Sequence, residues 1–251
     1  VKGTVLVRER ILGIPYDNVT TEEVLQRVEL LFKDEKSHVV TFLTLPAIML
    51  SRKSKFLRIF LEEADLIVPC GKHVYWAARF LRHPLREIID PSQLTKLLMM
   101  QSYELSKSIY LFGGKDRIVD QAFENLKREF PRLFIIGRHR VNYPRKAHEN
   151  VVAAIGKASP DYLFVGMTTP QGERWIEQQK NKLHARVIVM IGGLLDVFAG
   201  SVRKARSYRE LLAHAEGGIK TEVPQSYGLR RLFWRPFFVI AVFFEKLVWK
   251  H

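Results

Sequence analysis

With 251 residues, 47% hydrophobic and 26% charged, the chain has material for a substantial core and falls outside the disordered and low-complexity classes. Its single cysteine, Cys70, excludes an internal disulfide and fits a reducing compartment. Forty Lys and Arg against 26 acids give a net charge of +14, which favours polyanionic partners: nucleotide phosphates, an anionic lipid surface or nucleic acid.

The chain opens VKGTVLVRERILGIPYD, with no apolar stretch ahead of a small-residue cleavage site, so secretion is not expected. Residues 39–43 (VVTFL) predict a buried strand. A helix is expected from about residue 46 to residue 63, with Ile48, Leu50, Phe56, Ile59 and Phe60 on its apolar side. Residues 64–68 form the next strand, stopped by Pro69 and Gly71, and a helix follows through Arg79. The same unit then recurs. Strand 108–112 leads through Gly113-Gly114 into a helix ending at Glu129, for which Asp116 is the expected N-cap. Strands are expected at 133–137, 162–166 and 186–191, with a helix over 171–182.

Strands separated by helices of this length imply βαβ crossovers, hence an α/β fold with a Rossmann-like, mostly parallel sheet flanked by helices. Ligands of such sheets sit beyond the carboxyl ends of the strands. The loops at Cys70-Gly71, Gly113-Gly114, residues 166–171 and Gly192-Gly193 are therefore expected to face one crevice. The alternation stops near residue 200, which divides the chain into a sheet domain, 1–200, and a C-terminal helical, basic and aromatic appendage, 201–251.

Several groups in those loops carry chemistry. Gly113-Gly114 sits where a phosphate cradle would, but it lacks the full phosphate-loop and dinucleotide fingerprints, so a plain tight turn is the better reading from sequence. Thr169, Gln171 and Glu173 place a hydroxyl, an amide and a carboxyl at a helix start; they suit a nucleotide or sugar edge, or simply cap the helix. Lys72 and His73 could lower the thiol pKa of Cys70, but free cysteines are mostly inert core residues, and that is the better reading from sequence. The eight scattered histidines show no HExxH spacing, and no metal site is expected.

The appendage holds ten basic and four acidic residues, +6 of the +14. Arg230, Arg231 and Arg235 precede an apolar run at 236–244, with Trp234 and Trp249 at its ends. That run is shorter than the ~20 residues a bilayer span needs. Cations and aromatics around a short apolar patch suit a helix lying at a membrane surface, ahead of a core helix or a contact between copies in a homo-oligomer. Nucleic acid is not expected, since the net charge is its sole support and no stacking platform or zinc module accompanies it.

Taken in order, these segments resemble the WecG/TagA/CpsF family of bacterial glycosyltransferases. Residues 11–17 are similar to its opening strand, and ADLIVPCG (64–71) to its ADLxxPDG motif, with Cys70 at the aspartate position. LFGGK (111–115), PDYLFVG (160–166) followed by PQGERW (170–175), and GGLLDVFAG (192–200) resemble three further motifs, the last placing Asp196. The resemblance implies an inverting, metal-independent and cofactor-free transfer. An N-acetylmannosamine-type sugar, or its uronic acid, would pass from UDP to a polyprenyl-diphosphate-linked sugar in cell-surface polymer synthesis. It implies a peripheral place at the cytoplasmic face of the cell membrane. The donor would lie near Gly113, Gly114, Thr169, Gln171, Glu173, Gly192, Gly193 and Asp196. Cys70 and Thr44 take the catalytic positions, with Asp65, His73 or Asp90 as alternative bases. Arg86, Arg206, Arg230 and Arg231 would meet the lipid diphosphate, because arginine offers paired donors to phosphate oxygens.

Overall fold

The computed structural model describes residues 8–115, 117–200 and 230–248, with side chains of the last segment described over 234–247. Six strands form one all-parallel sheet: β3 (His38–Leu43), β4 (Leu66–Pro69), β5 (Ile109–Gly113), β6 (Ile135–His139), β7 (Tyr162–Gly166) and β8 (Val187–Met190). Their spatial order is β4-β3-β8-β7-β5-β6. A separate antiparallel hairpin, β1 (Arg8–Ile11) and β2 (Ile14–Asp17), precedes them. Residues 11–17, expected as one opening strand, thus contain a turn. Leu12 and Gly13 both adopt positive φ there, the geometry of a two-residue hairpin turn.

Strand periodicity sends alternate residues to opposite faces, and the helices sort accordingly. Val40, Leu111, Phe164 and Val189 join one core with α1 (Thr21–Leu31), α5 (Pro91–Glu104), α6 (Ile118–Glu129) and α9 (Leu194–Phe198). On the other face, Tyr110, Leu163 and Ile188 pack with α7 (His148–Ala158) and α8 (Gln171–Leu183). Leu43 and Ile67 meet α2 (Leu45–Ser51), α3 (Lys55–Glu63), α4 (Lys72–Phe80) and the hairpin. The helix expected over 46–63 is therefore two helices. Ser54 starts the second by accepting a hydrogen bond from Leu57 N–H. Asp116, the expected cap of α6, lies outside the described residues.

The last helix, α10 (Arg230–Val248), is not isolated from this core. Phe238 and Val242 are fully buried with the α2 and α4 side chains. Phe80 stacks on Phe243, Lys246 lies 3.9 Å above the Phe80 ring, and Glu245 accepts a hydrogen bond from Leu12 N–H at 2.9 Å.

Strand β4 ends the sheet, and its outer edge is closed by side chains. Buried Asp17 accepts the Ile67 N–H at 2.7 Å and pairs with Arg8 at 3.0 Å. Arg8 in turn donates to the carbonyls of Glu62 and Ala64. An edge N–H left bare would cost stability and invite pairing with another chain. Asp17→Ala leaves the Ile67 N–H without its acceptor and Arg8 without its counter-ion, and we expect a loss of about 3 kcal/mol, read as a lower urea midpoint at unchanged slope.

Candidate active site

The carboxyl ends of all six strands share one rim because the sheet is wholly parallel. Its switch point lies between β7 and β5. The chain leaves β5 for outer neighbour β6 and leaves β7 for inner neighbour β8, so the two connections diverge and open a crevice.

Glycine is required at this junction. A Cβ on Gly113, where φ is +152°, would lie 2.5 Å from the Cα of Gly166. A Cβ on Gly166 would lie 2.4 Å from the Leu195 side chain and 3.3 Å from the Gly192 carbonyl. The Gly114 N–H donates to the Gly166 carbonyl at 3.2 Å. What the geometry gives this pair is the tight-turn role; the Gly114 N–H is engaged with the neighbouring strand. Gly192, at φ +56°, turns the chain after β8, and Gly193 precedes α9.

Register places the remaining residues along the same rim. Leu43 pairs with Pro69, so Thr44 and Cys70 come next, side by side, and Thr41 pairs with Met190, which brings Gly192 and Gly193 to the other side of Thr44. From β4 to β5 the rim spans four strand spacings, roughly 19 Å. No small group touches both ends at once, so a ligand that uses the whole rim is extended.

At the β4 end, Cys70 is 3% exposed, and its main chain pairs with that of Ile89 in an isolated parallel β-bridge. Burial, and then the nearby Asp90, push its thiol well above the usual range. This is opposite in direction to the effect expected from Lys72 and His73, because the enclosing residues outweigh the sequence neighbours. Asp90 caps α5 through Oδ1, which accepts from Gln93 N–H at 2.8 Å. Thr44 occupies the cap position of α2 without a side-chain capping bond. Asp65 is excluded as a group of this rim. It precedes β4, at the opposite end of the sheet, where it accepts from Val39 N–H and contacts His38.

At the β7 end, Thr169 donates to Glu173 at 2.7 Å, and Glu173 is buried in the first turn of α8 beside Gln171. Burial raises its carboxyl pKa, and Thr169 opposes the shift. Asp196, on α9, is raised by burial too, with Lys115 pulling it back. Lys115, in the LFGGK segment, is thus a charged neighbour of Asp196. Arg86 lies just before the Ile89 bridge and contacts Glu23 at 2.7 Å. Arg206 lies outside the described residues. Arg230 and Arg231 begin α10, and their side chains also lie outside the description. Among the described residues, no group of three His, Cys, Asp or Glu side chains is placed to hold a metal ion.

Gly113→Ala is expected to destabilise the protein by about 2 kcal/mol or more, because the new methyl meets backbone that cannot yield. Thermal denaturation measures it; an unchanged midpoint would show that the two strand ends separate freely.

A family model described as "Glycosyl transferase WecG/TagA/CpsF family" matches residues 9–209. Among curated proteins, the chain is 28% identical over 198 residues to an N-acetylglucosaminyldiphosphoundecaprenol N-acetyl-beta-D-mannosaminyltransferase of Staphylococcus aureus strain NCTC 8325 / PS 47, covering 78% of this chain and 77% of the relative. The protein of the same description in strain MRSA252 is 27% identical over the same length and coverage.

Proposed function

Because the chain belongs to the WecG/TagA/CpsF family of glycosyltransferases, we propose that it transfers an N-acetylmannosamine-type sugar from UDP to a polyprenyl-diphosphate-linked N-acetylglucosamine. The observation that carries this reading is the run of polar groups along a rim roughly 19 Å wide, one end of which lies where the strand connections diverge. An extended donor and acceptor, meeting end to end, match that length.

The donor occupies the β7–β5 half, with Gln171, Glu173, Thr169, Asp196 and Gly192-Gly193 around it, and the acceptor hydroxyl approaches the β4–β3 half near Thr44. Attack on the anomeric carbon requires a base to take the hydroxyl proton. The raised thiol of Cys70 is poorly suited, and burial favours the neutral forms of Glu173 and Asp196. Asp90 is the remaining carboxylate beside Cys70, and we assign it this role. Its Asp-Pro sequence at a helix start is an N-cap signature, which conceals a second use. Asp90→Asn keeps a capping oxygen, so we expect kcat to fall at least ~100-fold with UDP-sugar affinity unchanged. A variant that retains full turnover would dismiss Asp90 as the base.

The acceptor is a lipid, and α10 supports a place at the membrane surface. Phe237, Ile240, Phe244 and Leu247 recur at helical spacing on its outer side, and Phe244 is 62% exposed. Among the described residues no helix is long and apolar enough to cross a membrane. The stripe instead enters the headgroup layer of the cytoplasmic leaflet, while Phe238 and Val242 hold the helix to the body. The double variant Ile240→Glu/Phe244→Glu leaves that inner contact alone. It should reduce co-sedimentation with vesicles containing anionic lipid by tenfold or so, at an unchanged melting temperature; undiminished co-sedimentation would rule the stripe out as anchor.

A further inference from the structure

Helix α4 starts where the β4 end of the rim stops: Cys70 and Gly71 carry the chain from β4 directly into Lys72. Its inner face is set by buried Val74, Ala77 and Ala78. Lys72, Trp76 and Phe80 recur at every fourth position and therefore lie in one line along a different side, about 12 Å long. Side chains on a helix lean toward its N-terminus, so this line leans toward the rim. A Cβ built on Gly71 would meet nothing within 4 Å, which leaves the entrance to the line open among the described residues.

Along this line the chemistry changes in a fixed order. Lys72 is an exposed cation at the rim. Trp76, 36% exposed, stacks on Phe80 at 5.2 Å between ring centroids and lies 6.5 Å from the ring of buried Phe238. Phe80 stacks in turn on Phe243 of α10 at 6.0 Å, and Phe243 is half exposed. A single exposed ring is ordinary. Here the rings form one apolar track, which begins a helical turn from the rim and runs into the exposed Phe243, Phe244 and Leu247 of α10.

What covers the track follows from what leaves the rim. In the acceptor reading above, on which this inference rests, the reacting hydroxyl stands near Thr44. Register sets Thr44 beside Cys70, next to the start of α4. The acceptor's sugar is followed by a diphosphate and then by a polyprenyl chain, so the ligand presents polar, anionic and apolar parts in that order. The rim, Lys72 and the Trp76–Phe80 pair match those parts in the same order.

We propose that the seam between α4 and α10 is the lipid subsite of the acceptor: the Lys72 ammonium meets its diphosphate, and Trp76 and Phe80 carry its first isoprene units toward the α10 stripe. Lysine serves a phosphate as a point charge without fixed geometry, which suits a ligand whose chain slides in from a bilayer. Covering Trp76 removes apolar surface from water. That gain is equal before and during transfer, so it lowers KM and leaves kcat alone. Trp76 belongs to the body, whereas the anchor is the outer side of α10, and an acceptor that needs no membrane separates the two.

The test uses the full chain, UDP-N-acetylmannosamine and two water-soluble acceptors, N-acetylglucosaminyl diphosphate bearing either a farnesyl or a dimethylallyl chain. No bilayer is present, so anchoring plays no part. Wild type should show a KM for the farnesyl acceptor about tenfold below that for the dimethylallyl acceptor, at similar kcat. Trp76→Ala should raise the farnesyl KM about tenfold, keep the dimethylallyl KM within about twofold and leave the donor KM unchanged. Trp76→Phe, which keeps a ring on Phe80, should fall between, and it decides should Trp76→Ala fail to fold. Lys72→Met should raise both acceptor KM values alike, about fivefold; no change in either overturns the diphosphate contact. Equal KM for the two acceptors in wild type overturns the subsite, as does a Trp76→Ala that loses equally on both. A Trp76→Ala impaired only in co-sedimentation with vesicles assigns the ring to the bilayer and overturns it too. Turnover with the undecaprenyl acceptor in vesicles, but with neither soluble one, removes the subsite and keeps the acceptor reading. No turnover with any of the three removes both.

Discussion

Everything at the rim depends on the approach of Gly113 to Gly166, main chain against main chain with no room for a methyl between them. That contact holds β5 and β7 together at the point where their connections part to opposite faces. Leu195 fills the space beside Gly166, so α9 is set by the same junction, and with it Asp196 and its neighbour Lys115. Thr169, Gln171 and Glu173 follow because β7 ends at this point and α8 begins five residues later. A small backbone constraint thereby fixes the polar groups of two helices.

Three acids share the rim, and their surroundings separate them. Glu173 is enclosed and bonded to a hydroxyl, Asp196 is partly enclosed with a lysine near it, and Asp90 caps a helix beside a buried thiol. The carboxyl group thus appears in chemically distinct settings within a few strand spacings, a division that transfer chemistry needs when one group must donate and another accept. Cys70 stands among them as a packed side chain, sealed by Ile89.

Much of this was legible in the residue order. β7 and α8 were readable to within a residue, because an uninterrupted apolar run and a long amphipathic one have few other solutions. The hairpin turn was not, since Leu12 in a positive-φ position carries no compositional mark. The break between α2 and α3 was hidden because apolar residues continue through it; Ser54, three residues before Leu57, was the local signal. At the site, the order of loops along the rim required strand pairing, which crosses the chain from β3 to β8. Cys70 is the inert core thiol that its residue type favours, but the charged group nearest to it was hidden for the same reason. Lys72 and His73 are adjacent in sequence, whereas Asp90 arrives from twenty residues away. Asp65, only five residues before Cys70, sits at the far end of the strand between them.

The contact of Glu245 with the Leu12 N–H joins the first described hairpin to the last helix. During synthesis the hairpin, α2 and α4 leave the ribosome well before α10 does, so the groove that receives Phe238 and Val242 stands open until that helix emerges. The nascent sheet can therefore assemble around an apolar groove still unfilled, and filling it brings together residues 233 positions apart.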